Sequence, residues 1–351
     1  MIKIYQILPY FLENDSASEC ANTLHRSFTT LNLKSEICET TPKITRNDYL
    51  IYHSSGSQFL DSLVPRNSST TKKVLLRHST PSVDYFAPYS EKVYRKRNQE
   101  LQILNSTYRF FDSVIVNSIT NAHEFSQRRF SKIFQTPFFT FPRDFSKIET
   151  DRHFQDLLSG PAPLFLTISK VSPDQKMEDT LRIFSWYCKN FQSKSRLLIL
   201  GTPQPSDYLM ILKEITQDLM IQHQVFFFEN LDRSKIKACY EAADLFLSMA
   251  EPREIPREFL EANHFGVPLF SSSRDGYFKA IEGLDPFFEQ VDIPVLAAQV
   301  DLLLSDPLFR KKVTAQQLNQ FQTLQNQYSL DSLLQQVLKA LNLILPKLDS
   351  T

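Results

Sequence analysis

The sequence predicts an α/β protein made of two doubly wound parallel-sheet domains, and three observations support this fold class. Short apolar runs alternate with segments of helical spacing along most of the chain. The chain has 351 residues, a length typical of about two domains. The alternation fades between 139 and 163, in a stretch rich in charge and proline, and then begins again. Strands that alternate with helices indicate βαβ units and parallel sheets.

The first half of the chain contains short apolar runs of the β type. We predict strands at 3–8, 48–53, 72–78 and 112–117. Helical spacing follows the first strand over 18–31, a long amphipathic helix is predicted over about 90–111, and a further helix begins near Ser118. These elements predict an N-terminal domain over 1–150, followed by a linker over 151–163.

The second half of the chain repeats this alternation. We predict strands at 164–169, 196–201, 224–229 and 244–249, and helices at 178–191, 206–219 and 234–243. Near the C-terminus, apolar residues recur at every third or fourth position over 329–345, which predicts a one-sided helix. These elements predict a C-terminal domain over 164–325 and a closing helical segment over 326–351.

The stretch Phe246–Phe270 joins a strand, a charged loop, a short helix and a second strand. Pro256 suits a first helical turn, and Gly266 suits a C-terminal stop. This arrangement places the unpaired N–H groups of a helix start beside a bound anion. Glu261 should then lie close to whatever the helix start faces. An ordinary βαβ crossover with solvated charges is the alternative.

Composition narrows the class of protein. Lys plus Arg and Asp plus Glu number 39 each, so the net charge is zero, which argues against a nucleic-acid binder. The four cysteines are scattered with no Cys/His cluster, so we expect neither disulfides nor a zinc site, and a cytoplasmic location is the default. The N-terminus reads as a strand and not as a signal peptide, and no apolar run approaches the ~18 residues that span a bilayer. The basic run KVYRKR (92–97) could contact anionic lipid head groups, although such a run is more often the solvent-exposed face of a helix.

Several ligand-binding motifs are absent. The sequence contains no GxGxxG, GxxxxGK[ST], GxSxG or Asp-x-Asp, which weighs against dehydrogenases, NTPases and α/β-hydrolases. The candidate residues instead lie in loops after strand ends, where ligands of open parallel sheets bind. Lys170 and Lys176 can pair with phosphates, and Glu261 can accept from ribose hydroxyls. His78 can accept from a hydroxyl-bearing ligand or relay a proton. Solvated lysines and a structural histidine are the alternatives.

Two groups of segments resemble the sequence motifs of a known protein family. The second half contains, in order, ISKVSPDQKMEDTLRIF (168–184), RLLILG (196–201), KACYEAADLFLSM (237–249) and EPREIPREFLEANHFGVPLF (251–270). The first half contains LIYHSSGS (50–57), VLLRHSTPSVDYFAPY (74–89) and DSVIVNS (112–118). In order and spacing these segments resemble the motifs of the retaining, nucleotide-sugar-dependent glycosyltransferases of the GT-B fold, specifically glycosyltransferase family 4. The similarity covers nearly the whole chain.

The resemblance implies two Rossmann-like domains that face each other across a cleft, with the C-terminal helix crossing back to the first domain. It implies an enzyme without metal or cofactor, whose donor substrate is a nucleoside-diphosphate sugar. The sugar would pass with retention to a saccharide or lipid-linked acceptor, usually in surface polysaccharide biosynthesis in the cytoplasm or at the inner face of the membrane. By position, His78 matches the active-site histidine near the sugar. Glu261 matches the second Glu of the Glu-x7-Glu motif, which binds the ribose.

Several positions depart from the family pattern. Lys170 stands where the family has a diphosphate-binding Arg, which keeps the charge but loses the bidentate fork. The family's next Lys falls on Gln175, beside Lys176. The first Glu of the motif falls on Arg253, beside Glu254. The residues expected to bind the donor are Lys170, Lys176, Arg253, Glu254 and Glu261. 

The family's glycines in this loop, which let the backbone approach phosphates, are replaced by Glu254 and Pro256. These losses support an alternative function, in which a degenerate GT-B protein without transfer activity acts as a binding or partner subunit. The sequence leaves open the sugar, the base, the acceptor and whether the chain forms homo- or hetero-oligomers.

Overall fold

The structure of the protein is a computed structural model that describes residues 3–8, 16–40, 42–45, 47–54, 71–78, 82–128, 130, 132–136, 142–250, 255–272, 287–288, 292–327 and 329–343. Two of the predicted donor-binding residues, Arg253 and Glu254, lie outside these ranges. The chain divides into two units, each with its own parallel sheet.

The described strands are β1 (Lys3–Ile7), β2 (Lys34–Cys38), β3 (Tyr49–Ser54), β4 (Lys72–Arg77), β5 (Ser113–Val116), β6 (Ile133–Gln135), β7 (Leu164–Ile168), β8 (Arg196–Leu200), β9 (Val225–Phe228), β10 (Leu245–Ser248), β11 (Leu269–Ser272) and β12 (Phe287–Phe288). The described α-helices are α1 (Ser16–Thr30), α2 (Glu91–Thr107), α3 (Ile119–Gln127), α4 (Arg152–Leu158), α5 (Met177–Asn190), α6 (Tyr208–Asp218), α7 (Arg233–Ala242), α8 (Arg257–His264), α9 (Ile293–Ser305), α10 (Pro307–Gln327) and α11 (Leu330–Ala340).

The first unit is formed by Met1–Val83, Lys92–Thr140 and Gln325–Thr351. Its strands form a parallel sheet in the order β2-β1-β3-β4-β5-β6. Strands β3 and β4 are buried along nearly their whole length, and strands buried on both faces need near-continuous apolar runs. Helix α11 lies on this sheet, where the hydroxyl of Ser113 donates to the carbonyl of Ala340 at 3.3 Å. The C-terminal helix therefore belongs to the first unit.

The second unit is formed by Asp84–Glu91 and Phe141–Leu324. Its strands form a parallel sheet in the order β12-β11-β10-β7-β8-β9. Counted within this unit, the order is 6-5-4-1-2-3, which is the doubly wound Rossmann order. The core includes Phe165, whose ring makes edge-to-face contacts with Phe184 at 5.2 Å and Tyr187 at 5.0 Å. These contacts join α5 to the sheet.

The two sheets confirm the predicted fold class. Residues 151–163, predicted to be a linker, contain helix α4 and belong to the second unit. The helix forms because the carboxylate of Asp151 accepts from the N–H of Phe154 at 2.9 Å and so caps the helix start. Among the described residues, none of the helices combines the length and the apolar character that a membrane span needs.

Candidate functional site

The second sheet has a switch point between β7 and β10, which are hydrogen-bonded neighbours although β8 and β9 lie between them in the sequence. In open parallel sheets, ligands bind outside the carboxyl ends of the strands at such a point. The loop after β7 carries Lys170 and Lys176, and the chain after β10 leads to α8, which carries Glu261. The structure therefore brings these three predicted residues to the same edge of one sheet.

The backbone beside Lys170 is fixed by a close contact between two loops. Gly201 follows β8 with a φ of +154°, and a Cβ atom there would lie 1.7 Å from the carbonyl oxygen of Ser169. Only glycine fits this contact. The N–H of Ser169 also donates to the carbonyl of Leu200 at 3.0 Å. The loop that carries Lys170 is thus held against the end of β8, while the Lys170 side chain is exposed.

Lys176 lies at the start of α5, with a left-handed backbone (φ 50°, ψ 46°). Its Nζ lies 5.7 Å from the centre of the Tyr85 ring, within the range of a cation–π interaction. The hydroxyl of Tyr89 donates to Oε1 of Glu178, in the first turn of α5, at 2.6 Å. A segment from the first half of the chain therefore holds the beginning of this helix, and Lys176 with it.

Glu261 lies in α8 and is completely buried. Its Oε1 accepts from the backbone N–H of Arg143 at 3.0 Å and from Nε of Arg143 at 2.7 Å. Its Oε2 accepts from Nη2 of Arg143 at 2.6 Å and from the Tyr240 hydroxyl at 3.0 Å. An ionised carboxylate has about four acceptor positions. The protein itself therefore fills all of the acceptor positions of Glu261.

Further charged side chains surround the ion pair of Arg143 and Glu261. Nε of Arg257 lies 3.6 Å from Oε1 of Glu261, and Nη2 of Arg257 lies 3.5 Å from Oε1 of Glu258. Desolvation raises the pKa of the Glu258 carboxyl, although Arg257 partly opposes this shift. Desolvation lowers the pKa of Arg143, but the hydrogen bonds to Glu261 and the charges of Glu261, Tyr240 and Glu258 together outweigh that effect and raise the pKa overall. Arg143 stays charged and paired.

In the first unit, His78 follows β4 and is completely buried, and it belongs to a hydrogen-bonded chain of side chains. Nε2 of Gln6 donates to the carbonyl of Ala21 at 3.0 Å, which turns Oε1 of Gln6 toward Nε2 of His53 at 3.0 Å. Since Oε1 can only accept, His53 carries its proton on Nε2 and has a lone pair on Nδ1. That nitrogen lies 3.3 Å from Nε2 of His78, which therefore donates to it. Neutral His78 then has its lone pair on Nδ1.

Both imidazoles are neutral at physiological pH. Burial lowers the pKa of His53 to about 3. Burial, His53 and the charge of Arg77 lower the pKa of His78 well below its usual value. The sequence shows no Cys/His cluster, but the fold brings ligand atoms of Cys20, His53 and His78 within 4.8 Å of one another. A metal ion could use these atoms only if the hydrogen bond between the two histidines were broken.

The most important residue that the sequence did not indicate is Arg143. It lies outside every quoted motif, and 118 positions separate it from Glu261. The sequence also did not indicate Gln6, which stands in a predicted strand, or Tyr85, which stands in a quoted segment that gave it no role. The buried chain of Gln6, His53 and His78 belongs to the first unit, whereas Lys170, Lys176 and Glu261 belong to the second.

Comparison with known proteins finds one family model that matches part of the second unit. Residues 149–320 match the family model described as Glycosyl transferases group 1. No curated protein matches the chain. Among solved structures, HepE of Anabaena, solved with UDP and glucose, superposes with a TM-score of 0.71 at 16% identity, over 97% of this chain and 100% of that one.

Two further structures are similar. Sucrose-phosphate synthase of Thermosynechococcus elongatus superposes with a TM-score of 0.70 at 13% identity, over 96% of this chain and 97% of that one. A mutant of S. aureus TarM, solved with fondaparinux, alpha-GlcNAc-glycerol and UDP, gives 0.63 at 13% identity over 93% of this chain. The present chain covers only 59% of the TarM chain. At these identities the similarity shows the fold.

Proposed function

The chain has the GT-B fold and its residues 149–320 match the glycosyl transferases group 1 family, so we propose that it is a retaining glycosyltransferase. It moves a sugar from a nucleoside-diphosphate sugar to a saccharide or lipid-linked acceptor, in surface polysaccharide biosynthesis. One observation carries the proposal: the family match includes both loops at the switch point of the second sheet, with Lys170, Lys176 and Glu261.

Two lysines and a helix start supply the charge for a diphosphate. Lys170 is exposed after β7, and Lys176 stands at the N-terminus of α5, whose dipole adds positive potential. In the proposed reaction an acceptor oxygen bonds to the anomeric carbon as the bond to the diphosphate breaks. The acceptor proton passes to the leaving diphosphate, and the new bond forms on the same face of the sugar. Positive charge from these groups stabilises the leaving group, so we expect no requirement for a divalent cation.

His78 is assigned to the sugar in this proposal. Its neutral imidazole has a lone pair on Nδ1, which can accept from a sugar hydroxyl. The role requires that the donor sugar reach a side chain that is completely buried in the structure. Arg253 and Glu254 remain part of the proposed donor site, although both lie outside the described residues. A cytoplasmic location, with contact to the inner face of a membrane through the basic run 92–97, completes the proposal.

The test is a product assay with UDP-, GDP- and ADP-sugars and a mixture of saccharide and lipid-linked acceptors. Mass spectrometry detects the glycosylated product, and NMR of its anomeric proton reports retention. Lys170→Ala, Lys176→Ala, His78→Ala and Glu261→Ala test the sites. Lys194→Ala removes an exposed lysine before the opposite end of β8 and serves as the matched control. Full activity in all four site variants would refute the site assignment.

One observation favours the alternative of a degenerate binding or partner subunit. All of the acceptor positions of Glu261 are filled within the protein, so the carboxylate expected at the ribose is already engaged. Calorimetry with UDP, GDP and ADP separates the two functions. Micromolar binding of one of them supports the transferase, and no binding of any supports the degenerate protein.

A further inference from the structure

We propose that Arg143 takes the place of the ribose hydroxyls at Glu261, so that this chain holds a nucleoside diphosphate without a contact between carboxylate and ribose. The inference rests on the proposed function, because it concerns the same donor site. It makes Arg143 the residue that determines how strongly the site distinguishes ribose from a sugar without hydroxyls.

The Glu261 carboxylate can accept only a limited number of hydrogen bonds. Glu261 accepts four hydrogen bonds, three from Arg143 and one from Tyr240. Two of the four fall on each oxygen, which is the number of lone pairs an oxygen offers. A ribose hydroxyl could donate to Glu261 only by displacing one of them.

The ion pair between Arg143 and Glu261, which a ribose hydroxyl would have to displace, is strong. Arg143 meets Glu261 with two parallel hydrogen bonds between opposite charges, in the bidentate geometry that adds both energy and specificity. A ribose hydroxyl could donate to the carboxylate, but it carries no charge to offset that of the buried Glu261. The Arg143 side chain is 10% exposed and that of Glu261 is fully buried, so the water that could solvate a separated pair is excluded. Separation would leave buried charges without partners, which is strongly unfavourable.

The segment that carries Arg143 is anchored to neighbouring helices. Phe145 is buried, and its ring packs edge-on against Tyr240 at 6.2 Å and Phe265 at 5.3 Å. Nζ of Lys237 donates to the carbonyl of Ile148 at 2.8 Å. The segment that follows Arg143 is thus fixed to α7 and to the end of α8. These contacts and the hydrogen bond from its own N–H hold the backbone of Arg143 beside Glu261.

The consequence is an altered selectivity for the nucleoside. A site that hydrogen-bonds a substrate hydroxyl rejects an analogue without it, because the buried polar group is left unpaired. Here Glu261 is paired whether or not a ribose is present. The diphosphate groups therefore dominate binding, and the removal of both ribose hydroxyls has little effect on affinity.

The experiment is calorimetry on the purified full chain. UDP, GDP and ADP are ranked first, and the tightest of them is then compared with its dideoxy form, which lacks both ribose hydroxyls. Arg143→Gln removes the proposed competitor. Arg310→Gln is the control, since it removes a half-exposed ion pair to Asp244, before the opposite end of β10. Circular dichroism verifies that each variant is folded.

We expect the wild type and Arg310→Gln to bind both forms within about threefold of each other, and Arg143→Gln to prefer the ribose form by about tenfold or more. A wild type that prefers the ribose form by about tenfold, with the preference lost in Glu261→Gln, overturns the inference and leaves the proposed function standing. A folded Arg143→Gln protein without a preference also overturns it. If neither the wild type nor Arg143→Gln binds any of the three nucleoside diphosphates, both the inference and the proposed function are overturned. If Arg143→Gln does not fold, the wild-type comparison decides alone.

Discussion

Arg143 and Glu261 form a buried ion pair with two parallel hydrogen bonds, 2.7 Å from Nε to Oε1 and 2.6 Å from Nη2 to Oε2. One partner lies in the segment before α4 and the other in α8, after β10. The pair therefore fastens the segment before α4 to the helix that follows the switch point of the second sheet. It also engages the carboxylate that the family resemblance assigns to the ribose.

We expect Arg143→Gln to lower the free energy of unfolding by about 3 kcal/mol or more, because it leaves a buried carboxylate without its main partner. The half-exposed pair of Arg310 and Asp244 is solvated, so Arg310→Gln should cost about 1 kcal/mol or less. Urea unfolding followed by circular dichroism measures both. Equal effects of the two substitutions would show that Arg143 is not a buried anchor.

Gly201 and Gly266 offer a matched pair of glycine substitutions. Gly201→Ala should destabilise the protein by several kcal/mol and weaken binding of a diphosphate, since the new Cβ would lie 1.7 Å from the carbonyl of Ser169, beside Lys170. Gly266→Ala meets nothing within 4 Å and carries only the cost of a left-handed residue, about 1–2 kcal/mol. Thermal unfolding and calorimetry compare the variants. A Gly201→Ala protein as stable as Gly266→Ala would contradict the close contact between the loops.

The free energy of unfolding should fall as the pH drops below about 6.5. The folded pKa of His53 is about 3, against 6.5 in the unfolded chain, so the unfolded chain binds a proton that the folded chain does not. The loss is at most about 1.4 kcal/mol per pH unit for each such histidine, and His78 acts in the same direction. Urea unfolding between about pH 7 and pH 5 measures it.

The variant for this prediction is His53→Gln, whose amide can donate to Gln6 and accept from His78 but does not titrate. It should reduce the dependence on pH. His223→Gln changes an exposed histidine and should leave the dependence unchanged. An identical dependence on pH in wild type and His53→Gln would contradict the assignment of a buried, neutral imidazole.

Loss of charge at Lys170 or Lys176 should weaken binding of a nucleoside diphosphate by about tenfold or more, because a hydrogen bond to a charged group contributes about 1.5–3 kcal/mol. Tyr85→Leu should have a smaller effect of about two- to fivefold, since it removes the ring that lies beside Nζ of Lys176. Tyr85→Phe keeps the ring and should bind as the wild type does. Calorimetry measures each affinity, and equal losses in the Leu and Phe variants would show that the ring is not the relevant group.

Much of the fold could be predicted from the sequence because central strands of parallel sheets are buried on both faces. The strands β7 and β8 are near-continuous apolar runs, and β3 and β4 contain apolar runs of four and three residues. The predicted limits of these four strands agree with the structure within one residue. The edge strand β2, KSEIC, is largely exposed and polar, and β6 has only three residues, so neither gave a signal. Helix α4 has seven residues, too few to show a helical period.

The sequence indicated some residues of the candidate site and not others. Glu261, Lys170 and Lys176 could be found because they stand in short motifs after strand ends. Arg143 could not, since an ion pair across 118 positions leaves no local pattern. The cluster of Cys20, His53 and His78 arises because β3 and β4 are neighbouring parallel strands and their carboxyl ends meet near α1. Such a cluster depends on strand order, which spacing in the sequence does not indicate.

The most direct test of the central claim is the stoichiometry of the proposed transfer. The purified chain is incubated with its preferred nucleotide sugar and acceptor, and released nucleoside diphosphate and glycosylated product are quantified together. We predict equal amounts of the two, strong loss of both in the Lys170→Ala/Lys176→Ala double variant, and no loss in Lys194→Ala. Absence of product with every donor and acceptor, or equal product from the double variant, would contradict the account.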